Sequence, residues 1–526
     1  MAKREFLRDA TGLVRELSLR DAVLYNFTVL SPGIGFVFYM FFGVAIFPGS
    51  DLGLAMLVSG PFFVLHAFVV GQIMASMPRS GFDYVYISRT LNPALGFTVN
   101  WAFVIFQALS LGPFFIFINQ WCLSGYFSAL GTIFNNPQYL ALSAQFSQPM
   151  WEFIIGTALL AVIAAFLLSG LKWSMRAIMV TEAIGWAGMI VAFAIFALTS
   201  PQTFQAAWDH YLGSQMAYAQ VEPTALQNGL TYSKDFGQFI AAALFCAFNV
   251  IGYQSSAYLG GEVKRGESNI GKAAVISEVI AIAFTIIGYE VIVNSAGYGF
   301  LAGSALLNLI GKLPAATFYM FMAALLVPNP LVIGLIYLSV FLWIFIAILG
   351  IILLLVRCIF AWAFDRIGPM ALAAISERTH GPTWSTILIV LVSWIGVYMS
   401  IYTGITLFVN FVLLLVICYS ISTLAAAILP YHKKEQFNNS PRIVNYKIGG
   451  KIPLITITAG IVTVFFWFIA YMVLVTPSIG GIVNLQTVGS MLGFSLIGTA
   501  LFEIAKYYRK RQGIDMKYLF NEIPPE

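Results

Sequence analysis

Charge is what constrains this chain most. Only 27 lysines and arginines and 22 aspartates and glutamates occur in 526 residues. They leave long intervals with no charge: 29 residues between Asp21 and Asp51, 27 between Asp51 and Arg79, 62 between Arg89 and Glu152, and 44 over residues 313–356. About 20 apolar residues cross the hydrocarbon core of a bilayer, so most of these intervals hold one helical span and the longest holds more. A soluble protein carries about 25% charged residues; this chain carries 9%, with 60% hydrophobic residues and a mean hydropathy of +0.87. That excludes a multidomain cytosolic enzyme, a nucleic-acid binder and a disordered chain. A β-barrel is excluded too, because its strands alternate apolar and polar over about ten residues.

Charges and polar breaks give twelve spans: 21–47, 52–77, 94–127, 152–171, 176–199, 237–262, 273–298, 331–362, 383–401, 404–430, 452–475 and 486–508. The polar stretch 135–149 reads as an external loop, and breaks fall near Tyr402–Gly404 and in TPSIGG (476–481). With the N-terminus in the cytoplasm, 25 of the 27 lysines and arginines lie inside and only Lys234 and Lys312 outside. Dropping one span would destroy that split, so the positive-inside rule supports the even count and places both termini in the cytoplasm of a multi-pass cell-membrane protein. The N-terminal segment 1–20 lacks the apolar core of a cleaved signal. Cys122, Cys246, Cys358 and Cys418 are scattered through apolar stretches, which points to buried thiols and to neither a disulfide framework nor a metal site. No metal or other cofactor is expected.

Two spans carry interruptions. SPGIG (31–35) breaks the first and NVIGYQSS (249–256) the sixth. They fall at matching places in two five-span blocks, 21–199 and 237–430, separated by an extracellular loop 200–236. Because five is odd, the second block is inverted in the membrane. Paired interrupted segments in inverted halves point to a transport site. Irregular backbone at membrane depth is tolerated only where protein or a water-filled cavity satisfies it. A half-helix starting after Gly35 offers free N–H groups to an anion; half-helices ending before Pro32 and Gly252 offer carbonyls to a cation. A ligand with carboxylate and ammonium one carbon apart fits both, which is an α-amino acid. The cytoplasmic loop 431–451, spans eleven and twelve (452–508) and the tail 509–526 complete the chain.

Three further segments carry a family resemblance. MPRSGFDYVYISRTLNPALGF (77–97), FNVIGYQSSAYLGGEVKRGESNIGKA (248–273) and FAWAFDRIGPMALAAISERTHGPTWSTI (360–387) resemble the loop from span 2 to span 3, the sixth span with its following loop, and the loop from span 8 to span 9 of the amino acid–polyamine–organocation (APC) transporters. The resemblance implies an all-α fold of the LeuT-like 5+5 inverted-repeat type with discontinuous first and sixth helices and two extra C-terminal helices. It implies uptake or exchange of amino acids or related amines as symporter or antiporter, without ATP, and no nucleic-acid partner. By that resemblance the backbone of Ser31, Gly33, Ile34 and Gly35 holds the substrate carboxylate, Asn249, Gly252, Tyr253 and Gln254 face the amine and side chain, and Gln107 lines the site. Phe82 replaces the second glycine of the family's SGG, Gln254 stands where Glu is common, and neither a fifth-span lysine (its register falls near Gly185) nor eighth-span hydroxyls appear. The coupling ion, H+ or Na+, is therefore open.

Among ionisable groups inside spans, Glu290 lies well along the seventh with Asn294 one turn on, and is the candidate to carry a proton; a neutral, hydrogen-bonded carboxyl or one lining an outer vestibule is the structural alternative. Glu278 and Glu182 are expected to pair with loop lysines or arginines. Glu262 and Asp365 sit beside Lys264, Arg265 and Arg366, and His66 reads as a satisfied buried imidazole. Trp343 and Tyr253 are the aromatic candidates for a cavity. Two other functions fit the composition: a transport-incompetent sensor or partner subunit with the same fold, and a membrane-embedded enzyme, for which no catalytic pair or metal motif is present.

Overall fold

A computed structural model describes residues 13–313, 315–379, 381–403, 408–476 and 485–520. Among them, eleven helices are long and apolar enough to cross a membrane, so the protein is an all-α polytopic membrane protein. The helices used below are α1 (Leu19–Leu30), α2 (Pro32–Val37), α3 (Leu52–Ser76), α4 (Pro93–Leu109), α5 (Pro149–Leu168), α6 (Leu171–Ala197), α7 (Phe236–Phe248), α8 (Gly266–Ala296), α9 (Pro330–Phe364), α10 (Thr383–Tyr402), α11 (Phe408–His432), α12 (Leu454–Val475) and α13 (Leu485–Arg511). The expected break near Tyr402–Gly404 and the one at 476–481 fall largely outside the described residues, as do 1–12 and 521–526.

Local signals start these helices. Ser18 and Asp21 form a reciprocal capping box on α1. Asp51 caps α3 by accepting from the Leu54 N–H at 3.0 Å, and Asn92 with Pro93 opens α4. Burial then sorts the helices. The most apolar window of α9 is 89% buried and that of the α13 span 11%, so α9 is the central post and α13 faces outward. Where helices press closest, glycine replaces side chains: a Cβ on Gly71 of α3 would lie 2.9 Å from the Gly271 Cα of α8, the small-residue contact that lets membrane helices meet backbone to backbone.

The sixth expected span is interrupted within NVIGYQSS (249–256), where the sequence reading places the break. It is not a full-length helix: α7 stops at Phe248, residues 249–254 run as turns, and Ser255–Leu259 forms a 3-10 turn. The third span breaks at Ser110–Leu111 and then continues to Ile133. The polar stretch 135–149 holds a helix, Pro137–Phe146, and the loop 200–236 holds two, Pro201–Leu212 and Tyr218–Gln227. All four cysteines are buried free thiols.

One end of the bundle is closed by two buried ion pairs. The Arg89 guanidinium grips both Asp365 oxygens at 2.6 and 2.7 Å, and Tyr84 donates to the same carboxylate at 2.6 Å. Arg357 grips Glu262 at 2.7 and 2.8 Å. The bidentate geometry compensates the desolvation of these charges. Glu262 and Asp365 thus pair across the bundle rather than with neighbouring Lys264, Arg265 or Arg366. Next to them, the Glu16 and Leu17 N–H groups donate to the Glu262 carbonyl at 3.0 Å each, and Lys264 N–H donates to the Leu17 carbonyl at 2.8 Å.

Candidate functional site

The first break is a single residue wide. Ser31 is left-handed (φ 48°, ψ 73°), and its N–H closes α1 on the Phe27 carbonyl at 2.7 Å. Pro32 restarts the helix at once, which suits a residue with fixed φ and no N–H to satisfy. The Ser31 carbonyl accepts from the Gly35 N–H at 3.1 Å. Of the four backbone groups expected to hold a carboxylate, two are therefore used inside the turn. Gly33 and Ile34 are the first-turn donors that, among the described residues, give no hydrogen bond to a group outside the helix. The open donors begin at Gly33 and not after Gly35. The Ser31 hydroxyl is also committed, donating to the Trp343 carbonyl at 2.9 Å.

The second break is wider. Asn249 turns back on α7, its N–H reaching the Cys246 carbonyl at 3.1 Å and its amide the Phe245 carbonyl at 2.8 Å. Gly252 has φ 140°, a region in which side chains are strained. The Ser256 N–H donates to the Asn26 Oδ1 of α1 at 2.8 Å.

The two breaks touch. A Cβ on Gly35 would lie 2.5 Å from the Asn249 carbonyl oxygen, and one on Gly252 would overlap the backbone of Leu30. Trp343 supports them from α9. It is fully buried, and a Cβ on Gly33 would meet its Cδ1 at 2.5 Å and one on Gly185 its Nε1 at 2.7 Å. The indole lies over Gly185. Its Nε1–H has no partner among the described residues.

Other expected residues lie elsewhere. The Tyr253 hydroxyl sits 2.6 Å from His66 Nδ1 on α3, and the Gln254 amide donates to the Tyr419 hydroxyl on α11. Both are buried. Gln107 is buried with its Oε1 unpartnered, one turn beyond Phe103, which stacks on Tyr258 at 6.1 Å. Glu290 is on the exposed face of the bundle, its carboxylate beside Gly53 and Asp51 at the start of α3. The deep acids are the two expected to pair with loop cations. Glu182 accepts from the Thr28 hydroxyl at 2.8 Å. Glu278 is fully buried with neither oxygen partnered. Position along a helix gives depth but not facing, and no pattern in the sequence marks Glu278 over Glu290.

Two interrupted helices in contact, in an apolar bundle, are a transporter's arrangement more than an enzyme's, and a family comparison agrees. The family model described as amino acid permease matches residues 28–517. The chain belongs to the amino acid permease family. The match begins at Thr28, three residues before the first break, and runs past α13, so it takes in both breaks and every long helix after them. Members of the family are transporters, not enzymes, and this permease is accordingly a membrane transport protein. No curated protein sequence matches it.

Proposed function

We propose that this permease carries amino acids or related amines across the cell membrane by alternating access, through twelve spans in a LeuT-like inverted repeat: 21–199, then 237–430, then 452–508, with both termini cytoplasmic. The observation that carries the reading is the contact between the breaks, where Gly35, next in the chain after the open N–H groups of Gly33 and Ile34, presses on the Asn249 carbonyl. A substrate carboxylate takes the two donors at the positive end of α2. Its ammonium takes carbonyls at the negative ends of α1 and α7. The absence of an acid at 249–256 favours neutral over cationic amino acids. The sodium or proton that drives the cycle exchanges with bulk on either side.

Thermal unfolding of the purified protein against the twenty amino acids and their methyl esters tests this. At least one amino acid stabilises it, by about 2.7 kcal/mol at a hundred times its dissociation constant, while the matching ester, which lacks the carboxylate charge, does not. Equal stabilisation by acid and ester, or reconstituted protein that takes up none of the twenty, would overturn the proposal.

A further inference from the structure

The position of α8 against α3 places an unexplained acid. A Cβ on Gly71 would touch Gly271, one on Gly60 would touch Ile282 and one on Gly53 the Glu290 carboxylate, so the two helices run antiparallel and His66 lies level with the turn that carries Glu278. Between them comes Tyr253, from the second break. Its hydroxyl bonds His66 Nδ1 at 2.6 Å and lies within electrostatic reach of Glu278. His66 Nε2 and both Glu278 oxygens are buried without a hydrogen-bond partner. Native proteins leave few such groups, and ionisable residues at membrane depth default to function.

On the elements packed against α8 the buried titratable groups include His66 on α3, Tyr253 in the second break, within electrostatic reach of Glu278, Tyr258 just after it, Tyr25 on α1, engaged with the Gly350 carbonyl at 2.7 Å, and Glu182 on α6, engaged with Thr28. Asp51, Glu290 and Asp209 sit at the far end of α8, where Tyr218 links Asp209 to the Ala296 carbonyl. Lys264, Arg265 and Lys272 sit at or before its opposite end. No lysine or arginine is paired with Glu278 among the described residues.

We propose that Glu278, with Tyr253 and His66, is the proton-binding site that couples substrate movement to a proton gradient. This rests on the transport reading above and supplies its coupling ion. With neither donor nor counter-charge, the carboxyl is held here as the neutral acid. Tyr253 follows Gly252 directly, and Gly252 is wedged against the Leu30 backbone, so the tyrosine moves whenever the second break moves against the first. In that displacement its hydroxyl leaves His66, water reaches Glu278, the carboxyl O–H bond breaks and the proton passes to water on the open side. The carboxylate takes a proton back only after the bundle has switched its opening to the other side, and the segment then returns. One proton crosses per cycle, with no change of oxidation state.

The test uses full-length protein in liposomes, with a 14C-labelled mixture of the twenty amino acids as probe and uptake measured with and without an imposed pH gradient. Wild-type uptake rises several-fold with the gradient inward-acidic or inward-alkaline, and the ratio of driven to undriven uptake falls to about one in Glu278→Gln. Structural damage alone lowers both uptakes and leaves the ratio. Tyr253→Phe lowers the ratio as well, while Glu503→Gln, exposed on α13 and paired with Lys506, leaves it. A second measurement needs no flux: the infrared carbonyl band of a protonated carboxyl, present in the wild type, is missing from Glu278→Gln. Wild-type uptake without any gradient response, a Glu278→Gln ratio equal to wild type, or identical infrared spectra overturns the proposal. No uptake by wild type under any condition sinks the transport reading instead.

Discussion

The two breaks solve the same problem differently. The first spends one residue, Ser31, and resumes helix at Pro32; its donors stay open while its carbonyl and hydroxyl are tied to Gly35 and Trp343. The second spends six residues, 249–254, and ties its side chains outward: Tyr253 to His66, Gln254 to Tyr419, and the Ser256 N–H to Asn26. The first is therefore a rigid socket with unfilled backbone donors. The second is a strap whose side chains are held by the helices around it. In the proposed transport cycle, what a substrate binds and what its binding moves are separate structures.

Substitutions at the contact between them test that division. The largest effect is expected at Gly252→Ala, where φ 140° and overlap with Leu30 add strain to overpacking, together about 3–6 kcal/mol; loss of folded protein in thermal unfolding checks it, and wild-type stability would show the strap free of the socket. Gly35→Ala follows, at about 3 kcal/mol, because its neighbour is the rigid Asn249 carbonyl. Gly33→Ala is expected to be milder, about 1–3 kcal/mol, since Trp343 is a side chain that shifts. Both lose uptake more than tenfold while retaining folded protein by size-exclusion chromatography.

A region outside both breaks gives a third, independent measure. The helix Phe82–Thr90 lies between spans, and burial pushes its Asp83 carboxyl up to about 6, partly offset by the Cys418 thiol and the Asn100 amide. An unfolded aspartate titrates near pH 3.9. Between these values the native state holds a proton that the unfolded state has released, so stability falls as pH rises from about 4 to about 6, by about 3 kcal/mol in all. Asp83→Asn flattens that slope in Tm measured against pH. The smallest effect is expected at Glu290→Gln: the residue is exposed, and such changes stay within about 0.5 kcal/mol. Its ratio of gradient-driven to undriven uptake stays at the wild-type value.

The sequence marked what charge and glycine mark. Span ends show as charges, so α3 begins and ends within one residue of the expected positions, and α6 and α8 end within two, although both start earlier than expected. Breaks show as Ser31–Gly35 and Asn249–Ser256, because such backbone is costly in a bilayer. Helices in loops were missed although Ser200–Pro201 and Asn136–Pro137 carry cap signals; their polarity alone suggested irregular chain. Facing was not legible. Glu290 follows Glu278 by twelve residues, about 120° round the helix, and only packing shows which of the two turns inward. Nor do Trp343 and Gly33 reveal in sequence that they occupy one space.

The hydrogen bonds that join Leu17 to Glu262 and Lys264 have a mechanical consequence. They lace the entry to α1 onto the exit of the second break, so a tilt of the first half-helix tugs the strap by its tail. In the proposed cycle the first half-helix and the strap then travel together, and a spectroscopic label near Leu17 is expected to report that movement.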